Sequence, residues 1–314
     1  MKALVTGAAG FVGRHVCKKL TDHGYTVLGI DNYMSESALR KDVWPKHLVC
    51  DVDLREGDIK EYFRTNKEDK FDLVVHLAAV VGGRSNIENS PLAVGEDLAI
   101  DALFFNWLTT AKPTKIVYFS SSAAYPIRNQ TFDYHVELTE DMIDFNKDIG
   151  VADLTYGWSK LTGEFLAKLA HEKYGFDISC FRPFSGYGED QHVSYPFPAI
   201  LKRAISKENP IGIWSNAVRD FIHIDDCIDA MLLIMQKTHD GKGVNLGTGI
   251  ATSFETLAKT MAHLVGYNAD ISIINNKPQG VYYRVADTAV MNYLGFYPTI
   301  TLAQGIERSI KYNS

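Results

Sequence analysis

The 314-residue sequence has only four cysteines, Cys17, Cys50, Cys180 and Cys227, with no close pair and no CxxC. Each lies in an apolar segment, so buried free thiols are expected rather than disulfides or a metal site. Ten histidines are scattered without HExxH or any comparable ligand cluster, and no metal is expected. There is no basic tract and no acidic tail, and the net charge is -6. That argues against nucleic-acid binding through a phosphate-neutralising face. No uninterrupted apolar run is long enough to span a bilayer, and the glycine-punctuated start MKALVTGAAGFVG does not read as a secretory leader. An unprocessed cytoplasmic protein, without a membrane partner, is the simplest expectation.

What is present is an ordinary globular composition, 46% hydrophobic and 22% charged. The first half alternates strand candidates (KALVTG, YTVLGID, HLVCDVD, DLVVHLAAV, KIVYFSSS, DISCFRPF) with helical stretches at FVGRHVCKKLTDHG, 57–67 and 97–110. Short apolar strands separated by helices predict a Rossmann-like α/β fold, a doubly wound parallel sheet covered on both faces. After Phe184 the pattern breaks into proline- and turn-rich segments, with helices expected at 199–206, 225–236 and 254–264. A smaller, interleaved C-terminal substrate domain is therefore expected. The division is 1–184 for the nucleotide domain and 185–314 for the substrate domain, with some later segments returning to the first.

Gly7, Gly10 and Gly13 form GAAGFVG between the first strand and the first helix. Glycines there permit a tight turn and close approach of a pyrophosphate, whose charge suits a helix N-terminus. Phe11 and Val12 complete that turn. Asp31, ending YTVLGID, can accept hydrogen bonds from ribose hydroxyls while repelling the extra phosphate of NADP, and Asn32 follows it. Asp53, ending the third strand candidate, is a further adenosine contact or else a turn cap. Together these residues point to NAD.

Tyr156 and Lys160 in YGWSK lie on one side of a predicted helix. Phenol titrates near 10, so a base useful at neutral pH needs a fall of roughly three units, about 4 kcal/mol. A nearby ammonium supplies attraction on the order of 4 kcal/mol at 4 Å before desolvation. Tyr156 can then remove a hydroxyl proton as hydride moves from carbon to NAD. Ser120, Ser121 and Ser122 in YFSSSAAY should emerge at the same sheet edge to orient that oxygen.

With GAAGFVG, Asp31, HLAAV (Leu77, Ala78, Ala79), SSSAAY, YGWSK, RPFSGYG and RDFIHIDDC in order over nearly all the chain, the sequence resembles the extended short-chain dehydrogenase/reductases, particularly the nucleotide-sugar epimerases. The resemblance implies a homodimer that binds a nucleoside-diphosphate sugar. It makes Tyr156 the catalytic tyrosine, Lys160 its support, and Ser121 the catalytic serine, with Ser122 the alternative. UDP-galactose 4-epimerases oxidise C4 to a transient ketone and return hydride to its other face. Related 4,6-dehydratases place a carboxylate in the serine loop, which SSSAAY lacks. GDP-mannose 3,5-epimerases, also similar, carry a proton-exchanging cysteine where this chain has Ala123. An NAD-dependent 4-epimerase is the leading expectation; a dehydratase, a net dehydrogenase/reductase, or 3,5-epimerase chemistry are the alternatives. Arg219 is the expected diphosphate ligand or else a structural partner of Asp220 or Asp225. Ser185 and Arg284 are further substrate contacts, and Gly83 lets its loop pass close to the sugar. Asp97 approximates an asparagine usual after the fourth strand.

Overall fold

The computed structural model describes residues 1–82 and 84–313; Gly83 lies outside the described residues. Six apolar runs become strands of one parallel sheet: β1 Lys2–Thr6, β2 Thr26–Asp31, β3 Val52–Glu56, β4 Leu73–His76, β5 Lys115–Phe119 and β6 Ile178–Pro183. Their connections carry helices α1 Phe11–Asp22, α2 Ile59–Thr65, α3 Arg84–Asn89, α4 Pro91–Val94, α5 Glu96–Ala111 and α6 Leu154–Tyr174. The later chain adds β7 Ser185–Tyr187, β8 Ile211–Ile213, β9 Val218–His223, β10 Asp240–Leu246, β11 Ala251–Ser253, β12 Ile271–Ile273 and β13 Tyr283–Arg284. Helices α7 Pro196–Ile205, α8 Ile224–Ile234, α9 Phe254–Val265, α10 Ala289–Tyr293 and α11 Leu302–Asn313 complete it.

The large sheet runs β10-β6-β5-β4-β1-β2-β3, all parallel. It is Rossmann-like and doubly wound. Because β1 lies between β2 and β4, the turns after β1 and β4 flank the point where strand order reverses, where open α/β sheets bind ligands. The sheet is buried on both faces. One core joins Val5, Phe11, Val16 and Leu20 to Ile228 and Met231, placing α1 and α8 together. The opposite core joins Leu4, Phe63, Phe104, Trp107 and Ala167, from β1, α2, α5 and α6. A third core, around Tyr187, Phe197, Ile211, Phe221 and Leu257, supports the C-terminal substrate-side elements.

Two expectations are corrected. The seventh strand, β10, comes from DGKGVNL, whose glycines and polar residues hid it. The third strand starts later than HLVCDVD suggested. The start of that run is taken into a 3-10 turn, Lys46–Leu48, which follows Pro45 and buries Leu48, and pairing with β2 begins only at Val52. Asp53 therefore stands near the start of β3, exposed and ion-paired with Arg55 at 2.6 Å, away from the carboxyl edge. The four cysteines are free. Among the described residues no helix is long and apolar enough to cross a membrane, and no group of three potential metal ligands occurs.

Candidate active site

The glycine turn sits at the carboxyl end of β1. A Cβ on Gly13 would meet Gly7 O at 2.1 Å and Ala8 Cα at 2.7 Å, so α1 packs onto its own preceding turn only without a side chain there. Gly10 caps α1 with no side-chain hydrogen bond, and the first turn, containing Phe11 and Val12, has no acidic residue. Its amides are free to meet an anion. Asp31, buried at the end of β2, accepts Ala9 N–H at 3.0 Å and Tyr33 N–H at 2.8 Å. Burial lifts its carboxyl above the usual range; the amides of Tyr33, Ala9 and Gly10 and then Arg14 oppose that. Exposed Asn32 turns its amide oxygen back to Met34 N–H. Across the reversal point, Leu77 and Ala78 each donate to Thr6 Oγ1 at 3.0 Å, with Ala79 next in the chain. These residues fit a dinucleotide: backbone donors for a pyrophosphate, and a carboxylate at the next strand end.

Two residues at this end escaped the sequence reading. Asp58, at the carboxyl end of β3 where Asp53 was expected, caps α2 by accepting Lys60 N–H at 2.9 Å. Arg14 is buried and donates to Ala9 O at 2.6 Å, Ser37 O at 2.7 Å and the Asp190 carboxylate at 2.8 Å. It ties the glycine turn to the segment after β7.

The serine loop and α6 meet beside this turn. A Cβ on Gly157 would strike Ala123 O at 2.3 Å, so glycine is what lets α6 lie against the loop. Ser120 is buried and donates to Glu164, itself paired with Arg182 at 2.7 Å, which commits Ser120 to structure. Ser122 is also buried. Ser121 caps the short turn 122–124 through Ala123 N–H at 3.1 Å, and it lies near enough to Tyr156 to pull its phenol pKa down. Lys160 Nζ lies 5.8 Å from the Tyr156 ring centroid and 5.5 Å from that of Tyr118.

The electrostatics depart from the expectation of a lowered Tyr156. Burial lifts its phenol above the ordinary value; Lys160 and Ser121 pull down, while Asp97 and Asp101 push up. Lys160 is buried, which opposes its charge, yet Asp101, Tyr156 and Asp97 outweigh that and hold it as ammonium. Asp97, on α5, has one oxygen on Val80 N–H at 2.5 Å and the other without a partner. Its carboxyl is pushed up to about 6, by burial first, with Lys160 and the Val80 amide opposing. Behind it, Asp101 accepts from Tyr118 Oη at 2.6 Å and meets His76 Nε2 at 3.2 Å. Tyr195, also missed, precedes α7; burial chiefly lifts its phenol, with Tyr156 adding to the effect.

On the C-terminal side, sheet register assembles a cationic patch. Arg284 in β13 pairs with Arg219 in β9, and Ser185 in β7 pairs with Phe221 of the same strand. Arg219 has neither suggested structural partner. Asp220 accepts from Thr248, Gly249 and Ala286, and Asp225 meets Arg308 and two histidines. Among the described residues, Arg219 donates only to the carbonyls of Val218, Val281 and Tyr282. Burial, then Arg284, lowers it to about 9, with Arg84 also repelling it. Arg284 bonds Gln130 and Asp153, and Arg84 bonds Asp153 as well. Arg84 and Asp153 carried no motif that would have marked them.

The sequence matches the NAD dependent epimerase/dehydratase family over residues 3–247. It is 29% identical over 315 residues to a putative UDP-glucose 4-epimerase of Methanocaldococcus jannaschii, covering 98% of this chain and 97% of that one. In fold it is similar to the UDP-glucose 4-epimerase of Thermotoga maritima, solved with UDP-glucose (TM-score 0.83, 22% identity, 100% and 98% of the chains covered). It is equally similar to the dTDP-glucose 4,6-dehydratase DesIV of Streptomyces venezuelae, solved with NAD (TM-score 0.83, 21% identity, 99% and 96% covered). A sequence match that takes in the glycine turn, the serine loop, the YGWSK helix and Arg219 alike makes the chain a member of the NAD dependent epimerase/dehydratase family.

Proposed function

We propose that the protein is an NAD-dependent nucleotide-sugar 4-epimerase that inverts C4 through a transient 4-keto sugar. The observation that carries this reading is the placement of Ser121, Tyr156 and Lys160 together, with the buried methyl of Ala123 in the same loop. Gly7, Gly10, Gly13, Asp31 and the 77–79 turn would hold the cofactor. When bound, NAD supplies a hydride acceptor for the oxidation and a donor for the return.

Ser121 orients the sugar hydroxyl, and Tyr156 Oη takes its proton as the C–O bond becomes a carbonyl. Lys160 stabilises the resulting phenolate, and the same proton returns to oxygen at the end of the cycle. Burial leaves the Tyr156 phenol above its ordinary value despite Lys160 and Ser121, and the positive charge of NAD, when bound, would favour its phenolate. Arg219 and Arg284 hold the diphosphate, for which guanidinium supplies directional donors, and Ser185 contacts the nucleotide sugar. No side chain of 120–125 carries a carboxylate or thiol, so nothing in that loop drives elimination or exchanges a carbon-bound proton next to the ketone.

The homodimer implied by the family resemblance is part of the proposal. Leu98 on α5 and Trp158 and Phe165 on α6 are exposed apolar side chains that a second copy would cover.

The test is incubation with UDP-, GDP-, CDP- and dTDP-sugars, read by mass spectrometry and proton NMR. A mass-neutral inversion at C4 without net NADH consumption is the expected result. Loss of water, or a persistent two-electron mass change, would replace epimerisation by dehydration or net redox chemistry.

A further inference from the structure

Asp153 stands immediately before α6 and is buried, yet its carboxylate does not cap the helix. Arg84 Nη1 donates to both of its oxygens, at 2.8 and 2.9 Å, and Arg284 Nη2 donates to Oδ2 at 2.8 Å. Its main chain has other partners. The Asp153 N–H donates to Ala123 O at 3.1 Å, and its carbonyl accepts Gly157 N–H at 2.9 Å. One residue thus grips two arginines by its side chain and joins the serine loop to the Tyr156 helix by its backbone. The third arginine, Arg219, lies in register with Arg284; among the described residues its hydrogen bonds go to carbonyls alone, and its guanidinium lies over the Phe254 ring.

We propose that Asp153 is an internal counter-anion: it holds Arg84 and Arg284 in place before substrate arrives and competes with the substrate diphosphate for Arg284. This rests on the nucleotide-sugar reading above. The bond pattern identifies Arg284 as the contested group. Arg84 makes two bonds to Asp153 and a third to Glu88 at 2.6 Å, whereas Arg284 makes one to Asp153 and sends Nε to Gln130 at 2.6 Å. Releasing Arg284 leaves Asp153 still paired with Arg84, so no buried charge is stranded. Burial alone would raise the Asp153 carboxyl, but Arg284 and Arg84 outweigh it and hold it below the usual range, ionised at neutral pH. Arginines already ordered spare the diphosphate the side-chain entropy of ordering them.

Calorimetric titration of the NAD-saturated full-length protein with UDP, GDP, CDP and dTDP tests this, alongside thermal melting to check folding. Removing the competing charge in Asp153→Asn should tighten the preferred nucleoside diphosphate by about tenfold and steepen its salt dependence. Arg84→Gln leaves the whole Asp153 charge to Arg284 and should weaken binding several-fold. Purely structural roles would weaken binding in both variants. Unchanged or weaker binding in folded Asp153→Asn overturns the proposal. So does unchanged or tighter binding in Arg84→Gln, which keeps the test decisive if the first variant does not fold. Should none of the four bind the wild type, the nucleotide-sugar reading falls and takes the proposal with it. Binding without the opposed changes removes the proposal alone.

Discussion

The cofactor end and the arginine end of the site are built by different means. At the glycine turn the determinants are main chain: amides at the start of α1, and a Gly13 that a methyl group would drive into Gly7 O. At the arginine end they are charged side chains from four distant segments, Arg84, Asp153, Arg219 and Arg284, brought together by strand register and ion pairing. The first tolerates almost no change in shape and the second is sensitive to charge. A backbone-built site should therefore fail by steric disruption, a side-chain-built one by graded loss of affinity.

The largest effect is expected between the two. Tyr156→Phe should cut turnover by about 10²–10⁴-fold while NAD, titrated by fluorescence, still binds; undiminished turnover would remove Tyr156 from the chemistry. Next, Gly13→Ala should lower stability by about 3 kcal/mol and abolish NAD binding, seen in denaturant titration. A stable, NAD-binding variant would show that the turn can yield. Arg219→Gln should raise KM for the nucleotide sugar by about 10- to 100-fold, with NAD affinity unchanged. Equal loss of both affinities would erase the distinction between the two ends.

A smaller effect concerns pH. Asp97 titrates near 6 in the folded chain against 3.8 ordinarily. Between those values the folded protein keeps a proton that the unfolded chain has lost, so stability falls as pH rises through that window. Asp97→Asn should accordingly gain about 1–2 kcal/mol at pH 8 and almost nothing at pH 4. Gain at both pH values would point to packing rather than charge. Least of all, Asp53→Ala should change stability and NAD affinity by no more than about 0.5 kcal/mol, because the side chain is exposed and, among the described residues, pairs only with Arg55.

What the sequence made legible follows the same division. GAAGFVG, Asp31 and YGWSK are local patterns whose spacing alone brings the parts together, and the structure places them along one sheet edge. Asp53 was misplaced because an apolar run whose first residues belong to a 3-10 turn resembles a strand until pairing with β2 is known. Asp58 was passed over for the same reason. Arg84 and Asp153 were invisible because nothing in one segment announces a partner in another. Within the run of Ser120, Ser121 and Ser122 only the family resemblance favoured Ser121, with Ser122 the alternative; the structure commits Ser120 to Glu164 and sets Ser121 beside Tyr156. The raised Tyr156 was likewise hidden, since its burial, and then the carboxylates of Asp97 and Asp101 on α5 set against Lys160, emerge only from helix packing.

The insertion of β10 beside β6 has a mechanical consequence. Asn245, within β10, accepts from Tyr125 of the serine segment at 2.7 Å and donates to the carbonyls of Leu138 and Asp287. A late strand thus acts as a rivet through early and late chain alike. Cutting the gene after residue 184 would not release a finished nucleotide module. It would leave β6 as a bare sheet edge and Tyr125 without its acceptor, a fragment primed to stick to its own copies.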